Sequence, residues 1–210
     1  MRTKIKFCGL TRPGDVEAAN ELEPDYIGFV FAKTSRRYVN PETAAILKRH
    51  LKPSIKAAGV FVREEPERIA ALFDAGIIDA AQLHGGEGTE LVLRLKAMTS
   101  CPLIQAFRIE GREDILAAGE SQADLVLLDA GEGGTGTTFD WSLLRGMKRP
   151  YILAGGLNEN NVAKAVRALS PYGVDVSSGI ETNGRKDREK MRRFAAAVRY
   201  GMNPENRSNG

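Results

Sequence analysis

Short apolar runs alternate with amphipathic segments along the chain. Eight runs read as strands: Lys4–Cys8, Asp25–Phe31, Ile55–Val62, Ala80–His84, Leu103–Arg108, Asp124–Asp129, Tyr151–Ala154 and Val174–Ser177. Most are continuously apolar instead of alternating, the pattern of parallel strands covered on both faces. Helical spacing marks the segments between them: Asp15–Leu22, Pro41–Leu51, Pro66–Ala75, Glu90–Met98, Trp141–Met147, Glu159–Leu169 and Arg188–Arg199. Pro41 and Pro66 suit first-turn positions, and Asn40 and Asn158 suit N-caps. Only Gly111 to Ala123 separate strands 5 and 6, so a shortened helix is expected there.

Eight β/α units without repeats or linkers predict an α/β fold, a compact (β/α)8 TIM barrel. Residues 1–200 are expected to form its single domain and 201–210 a flexible tail. The chain has 210 residues, against about 250 for a typical barrel. A doubly wound sheet would need only five or six strands, and no G-x-G-x-x-G follows strand 1.

Composition narrows the class without naming a function. Hydrophobic residues at 42% and charged residues at 27% fit a globular domain. The net charge of +3 is small. Basic residues gather at Arg36–Arg37 and at Arg185, Lys186, Arg188, Lys190, Arg192 and Arg193. Acidic residues interrupt the second group and aromatics do not, which predicts a solvated helix face and no nucleic-acid partner. No run of 18 apolar residues and no signal-peptide profile occur, so no membrane association and a cytoplasmic location are expected. Two cysteines, Cys8 and Cys101, cannot build a disulfide framework. With only His50 and His84 besides, no metal site is expected.

A barrel places reactive residues at the C-terminal ends of its strands. Strand 7 runs into Gly155-Gly156 and strand 8 into Ser177-Ser178-Gly179. Small residues leave backbone N–H groups uncovered, so Gly155, Gly156, Ser178 and Gly179 are candidates for cradling a phosphate. Two ordinary strand-to-helix turns are the alternative. Gly133-Gly134-Thr135-Gly136 lacks the spacing and Lys-Ser/Thr ending of a nucleotide-binding loop. Gln82 and His84 lie one strand period apart and share a face. His84 is either an acid–base group or a hydrogen-bonded packing element. Cys8 and Asp129 end strands 1 and 6, whereas Cys101 precedes strand 5 at the opposite rim and reads as inert.

Seven blocks resemble the phosphoribosylanthranilate isomerase family: K-I-K-F-C-G-L-T at 4–11, S-R-R-Y-V at 35–39, Q-L-H-G at 82–85, L-L-D at 127–129, G-G-T-G-x-x-F-D-W at 133–141, L-A-G-G-L at 153–157 and D-V-S-S-G-I-E at 175–181. They span residues 4 to 200 in family order. The resemblance implies an Amadori rearrangement in tryptophan biosynthesis, with a phosphorylated small-molecule substrate. It implies Cys8 as general base and Asp129 as general acid. Arg37 would contact the anthranilate carboxylate and Asp175 the anthranilate nitrogen. Gln82 and His84 would face the substrate, and Gly133, Gly134, Thr135 and Gly136 would belong to a loop closing over it. The reaction involves no redox step and the substrate stabilises its own carbanion, so no cofactor and no metal are implied. The family contains monomers and homodimers. Phe7 stands where smaller aliphatic residues are common, and Thr137 where lysine is frequent. Taken without the resemblance, the residues also allow another barrel enzyme acting on a phosphorylated sugar, or a non-catalytic barrel that binds one.

Overall fold

A computed structural model describes residues 2–129, 141–144 and 147–202. Eight parallel strands close into a ring in chain order: β1 (Lys4–Cys8), β2 (Tyr26–Val30), β3 (Lys56–Phe61), β4 (Ala80–Leu83), β5 (Leu103–Arg108), β6 (Leu125–Asp129), β7 (Tyr151–Ala154) and β8 (Gly173–Val176). The seam pairs β1 with β8, setting Lys6 beside Asp175, while on the other side Cys8 pairs with Gly28 of β2. Helices α1 (Pro13–Leu22), α2 (Pro41–Arg49), α3 (Pro66–Asp74), α4 (Thr89–Met98), α5 (Arg112–Glu120), α6 (Val162–Leu169) and α7 (Arg188–Met202) follow their strands. Among the described residues, the β6–β7 connection holds a single 3-10 turn, Trp141–Leu144.

Alternation along each strand separates two cores. Ile5, Phe7, Ile27, Phe29, Leu83, Leu103, Val126, Leu128, Leu153 and Val174 join the large cluster shared with the helices. Ala80, Ile104, Leu127, Ile152 and Ala154 form a smaller cluster inside the ring. At the end where strands begin, the carboxylates of Asp25, Asp79 and Asp124 accept the backbone N–H of Ile5, Ala57 and Leu103. They satisfy strand ends that the ladder leaves unpaired. At the opposite end, Asp15 accepts from the N–H of Thr11 and Arg12, and Asp114 from those of Glu110 and Gly111, pinning two strand-to-helix turns.

Several expectations are corrected. The helix between strands 5 and 6 is not shortened: α5 has 9 residues, as do α2 and α3. Its turns are compressed instead, since Asp114 closes the one before it within three residues. Asn40 caps α2 through Thr43 N–H at 2.8 Å, but the N-cap of α6 is Asn161. Asn158 opens a preceding turn, its side chain accepting from Asn160 N–H. Gly201 and Met202 belong to α7, and Asn203–Gly210 lie outside the described residues. Arg185 and Lys186 are not part of a solvated helix. They form strand β10, paired antiparallel with β9 (Glu181–Thr182), and Lys186 is buried, its Nζ bonded to Glu181 and Ser177.

Candidate active site

A cavity of about 590 Å³ opens at the C-terminal ends of the strands. Cys8, Arg37, Gln82, His84, Asp129 and Asp175 all line it, together with Gly155, Gly156 and Ser178. Residues up to 170 positions apart meet there because every strand delivers its last inward-facing residue to one rim.

Cys8 is buried at the end of β1, and Ser177 Oγ donates to its carbonyl at 3.1 Å, tying β1 to the turn after β8. Burial pushes the thiol above its ordinary value, Lys6 and Lys186 oppose that, and Asp175 adds to it. Lys6 is only 1% exposed and its Nζ donates to Asp175 Oδ1 at 2.7 Å. Burial alone would lower the Lys6 ammonium, but Asp175 and Cys8 outweigh it and hold it above the ordinary lysine range.

Across the cavity, His84 Nε2 faces Asp129 Oδ2 at 3.4 Å and Gln82 Nε2 lies 3.1 Å from His84 Nδ1. A Gln82 amide N–H donated to Nδ1 directs the Nε2–H of the ring toward Asp129. Gln82 Oε1 is buried with no hydrogen-bond partner.

Arg37 and Arg36 both converge on Glu181. Arg37 makes a two-pronged contact, Nε to Oε1 at 2.6 Å and Nη2 to Oε2 at 2.8 Å, and Arg36 adds one bond to Oε2 at 2.9 Å. Arg37 is the more enclosed of the two, and Arg36 is largely exposed. Lys186 Nζ completes the cluster on Glu181 Oε1 at 2.7 Å and also reaches Ser177. Burial would raise the Glu181 carboxyl, but the bonds from Arg37 and Lys186 hold it at about 2. Burial lowers the Lys186 ammonium against the pull of Glu181. The hydrogen bonds to Glu181 raise Arg37 further.

The turn after β7 carries Gly155 and Gly156 at φ of 88° and 62°, a conformation that other residues adopt only with strain. Asn161 Nδ2 holds the Gly156 carbonyl at 2.9 Å, turning it toward α6. Gly179 stands apart from the cavity lining. A Cβ there would lie 1.9 Å from the Leu157 carbonyl oxygen, so its bare Cα lets the two turns pack together. Gly133, Gly134, Thr135, Gly136 and Thr137 lie outside the described residues. Cys101 is buried before β5, away from the cavity, with its thiol pushed up to about 12 chiefly by burial.

Lys6, Glu181 and Lys186 were not marked as site residues by sequence reasoning. Lys6 had an available signal, because it sits one strand period before Cys8 and must share its face. Glu181 closes the 175–181 block, but nothing in that block ties it to arginines 144 and 145 positions away. No group of three or more His, Cys, Asp or Glu able to hold a metal ion occurs among the described residues, and no helix there is long and apolar enough to cross a membrane.

The family model "N-(5'phosphoribosyl)anthranilate (PRA) isomerase" matches residues 5–197. The chain belongs to that family. An N-(5'-phosphoribosyl)anthranilate isomerase of Thermoanaerobacter sp. (strain X514) is 45% identical over 202 residues, covering 93% of this chain and 98% of the relative. Among solved structures, the phosphoribosyl anthranilate isomerase of Thermotoga maritima superposes with a TM-score of 0.87 at 36% identity, covering 94% of this chain and 98% of that one. A phosphoribosyl anthranilate isomerase in complex with reduced 1-(o-carboxyphenylamino)-1-deoxyribulose 5-phosphate gives 0.84 at 35% identity, with the same coverage. Membership in the PRA isomerase family thus extends over all eight strands.

Proposed function

We propose that this chain isomerises N-(5-phosphoribosyl)anthranilate to 1-(2-carboxyphenylamino)-1-deoxyribulose 5-phosphate, a step of tryptophan biosynthesis. The observation that carries the reading is the presence of Cys8 and Asp129 in one cavity, delivered by strands three places apart around the ring. Asp129, as the acid, protonates the furanose ring oxygen, and the ring opens to an iminium at C1′. The Cys8 thiolate then removes the proton from C2′. The enolamine gains a proton at C1′, loses one from the 2′-hydroxyl and becomes the ketone. No electrons leave the substrate, so the chemistry calls for no cofactor.

Binding follows from charge and shape. The guanidinium of Arg37, oriented by Glu181, suits the planar anthranilate carboxylate. Asp175 can accept from the anthranilate N–H. Backbone N–H groups of Gly155, Gly156 and Ser178 suit the phosphate. Gln82 orients His84, and His84 donates toward Asp129. In this reading the enzyme works in the cytoplasm, as a monomer or homodimer.

Loss of phosphoribosylanthranilate fluorescence, with substrate generated in situ, tests the assignment. Wild-type protein should turn it over. Cys8→Ala and Asp129→Asn should each lower kcat by at least about 100-fold, the usual contribution of a positioned acid or base. Near-normal kcat in either variant removes that residue from the mechanism.

A further inference from the structure

Cys8 sits in a site that works against its proposed task. A base must be deprotonated when substrate arrives, yet burial favours the neutral thiol. Something nearby must offset that cost. The register of β1 with its two neighbours identifies the group.

Lys6 and Cys8 are one strand period apart, so both side chains enter the ring on the same face. Opposite them on β2 stands Gly28. A Cβ at Gly28 would lie 2.8 Å from Cys8 Sγ and 3.3 Å from Lys6 Nζ. The thiol and the ammonium therefore flank the same small gap, which any side chain at position 28 would fill. On the other flank, β8 pairs Asp175 with Lys6, and its carboxylate holds Nζ at 2.7 Å. Lys6 is shut off from solvent, so its charge acts on its neighbours with little screening.

We propose that Lys6 is a positioning residue for Cys8: its ammonium, braced by Asp175, faces the thiol across the gap left by Gly28 and stabilises the thiolate. The assignment deepens the isomerase reading, on which its catalytic consequence rests. The other charged groups facing Cys8 are Asp175 on β8, which opposes the thiolate, Lys186 on β10, and Arg37 after β2. Lys186 and Arg37 are engaged with Glu181, whereas Lys6 shares its charge between Asp175 and the thiol. Asp175 thus fixes the lysine in place and tempers its effect.

The test follows iodoacetamide alkylation of Cys8 in the full-length chain against pH, read by mass spectrometry of the Cys8 peptide so that Cys101 does not interfere. An opposite charge at this range shifts a titration by about 1–3 pH units. Lys6→Met should move the Cys8 alkylation midpoint upward by about one unit and slow alkylation at pH 7 about tenfold. Asp175→Asn should move the midpoint downward, because Lys6 then serves the thiolate alone. In Lys6→Met the ascending limb of the kcat–pH profile should move alkaline by the same amount, with KM nearly unchanged. A merely structural lysine would depress kcat evenly at every pH. Midpoints that stay put in both variants, or shift in the same direction, overturn the proposal. If Lys6→Met fails to fold, Asp175→Asn decides alone: an unmoved or raised midpoint refutes it. Alkylation needs no substrate, so opposite midpoint shifts in a chain that never consumes phosphoribosylanthranilate would sink the isomerase reading and leave the thiolate assignment standing.

Discussion

Replacing Glu181 with glutamine probes the electrostatic centre of the site. Its carboxylate accepts from Arg37 twice, from Arg36 and from Lys186. Glutamine keeps the shape and removes the charge, stranding the Lys186 ammonium, which is 2% exposed. Leaving one partner of a buried pair uncompensated costs about 3–5 kcal/mol; Arg37 retains some solvent, so about 3 kcal/mol is expected at pH 7. The pH dependence is more diagnostic. The folded protein holds Glu181 at about 2, below its ordinary 4.5. At roughly 1.4 kcal/mol per unit, that displacement is worth about 3 kcal/mol, reduced to about 2 kcal/mol by solvent screening. A carboxyl lowered by folding stabilises the protein above its unfolded value and loses that contribution as pH falls through the folded one. Wild type and Glu181→Gln should therefore differ most above pH 5, and the gap should narrow by about 2 kcal/mol on the way to pH 2. Urea unfolding at stepped pH measures both stabilities. A gap that stays constant over that range, or one below about 0.5 kcal/mol at pH 7, would refute the reasoning.

Two further substitutions separate packing from chemistry. Gly179→Ala forces a methyl against the Leu157 carbonyl. It should cost about 2–3 kcal/mol and lower Tm by roughly 5–10 °C in thermal unfolding; a Tm within about 2 °C of wild type would show that the two turns can part freely. Cys101→Ala removes a buried sulfur remote from the cavity. It should cost about 1 kcal/mol and leave kcat and KM as they are, whereas a changed kcat would show that the far rim communicates with the site.

The barrel was legible because its strands advertise themselves. Runs such as Ile27–Val30 and Leu125–Leu128 are apolar on both faces, a pattern that only a doubly covered parallel sheet requires. The Gly155-Gly156 turn and the strand ends at Cys8 and Asp129 could be placed for the same reason. Local spacing was less informative about the connections. Counting residues between strands 5 and 6 foretold a short helix, yet Asp114 compresses the turn instead. The basic residues of the last segment looked uniformly solvated, but Lys186 turns inward because a two-stranded ribbon precedes α7. Glu181 was invisible as a hub, since its meaning depends on arginines that reach it only after the ring closes.

That closure also completes the surroundings of the thiol. Cys8 ends the first strand of the ring, whereas Asp175 lies on the eighth and Ser177, Glu181 and Lys186 follow it. Before β8 pairs with it, β1 presents Cys8 and Lys6 without Asp175, the carboxylate that braces the lysine. The surroundings of Cys8 are complete only with the one pairing that joins the first strand to the eighth.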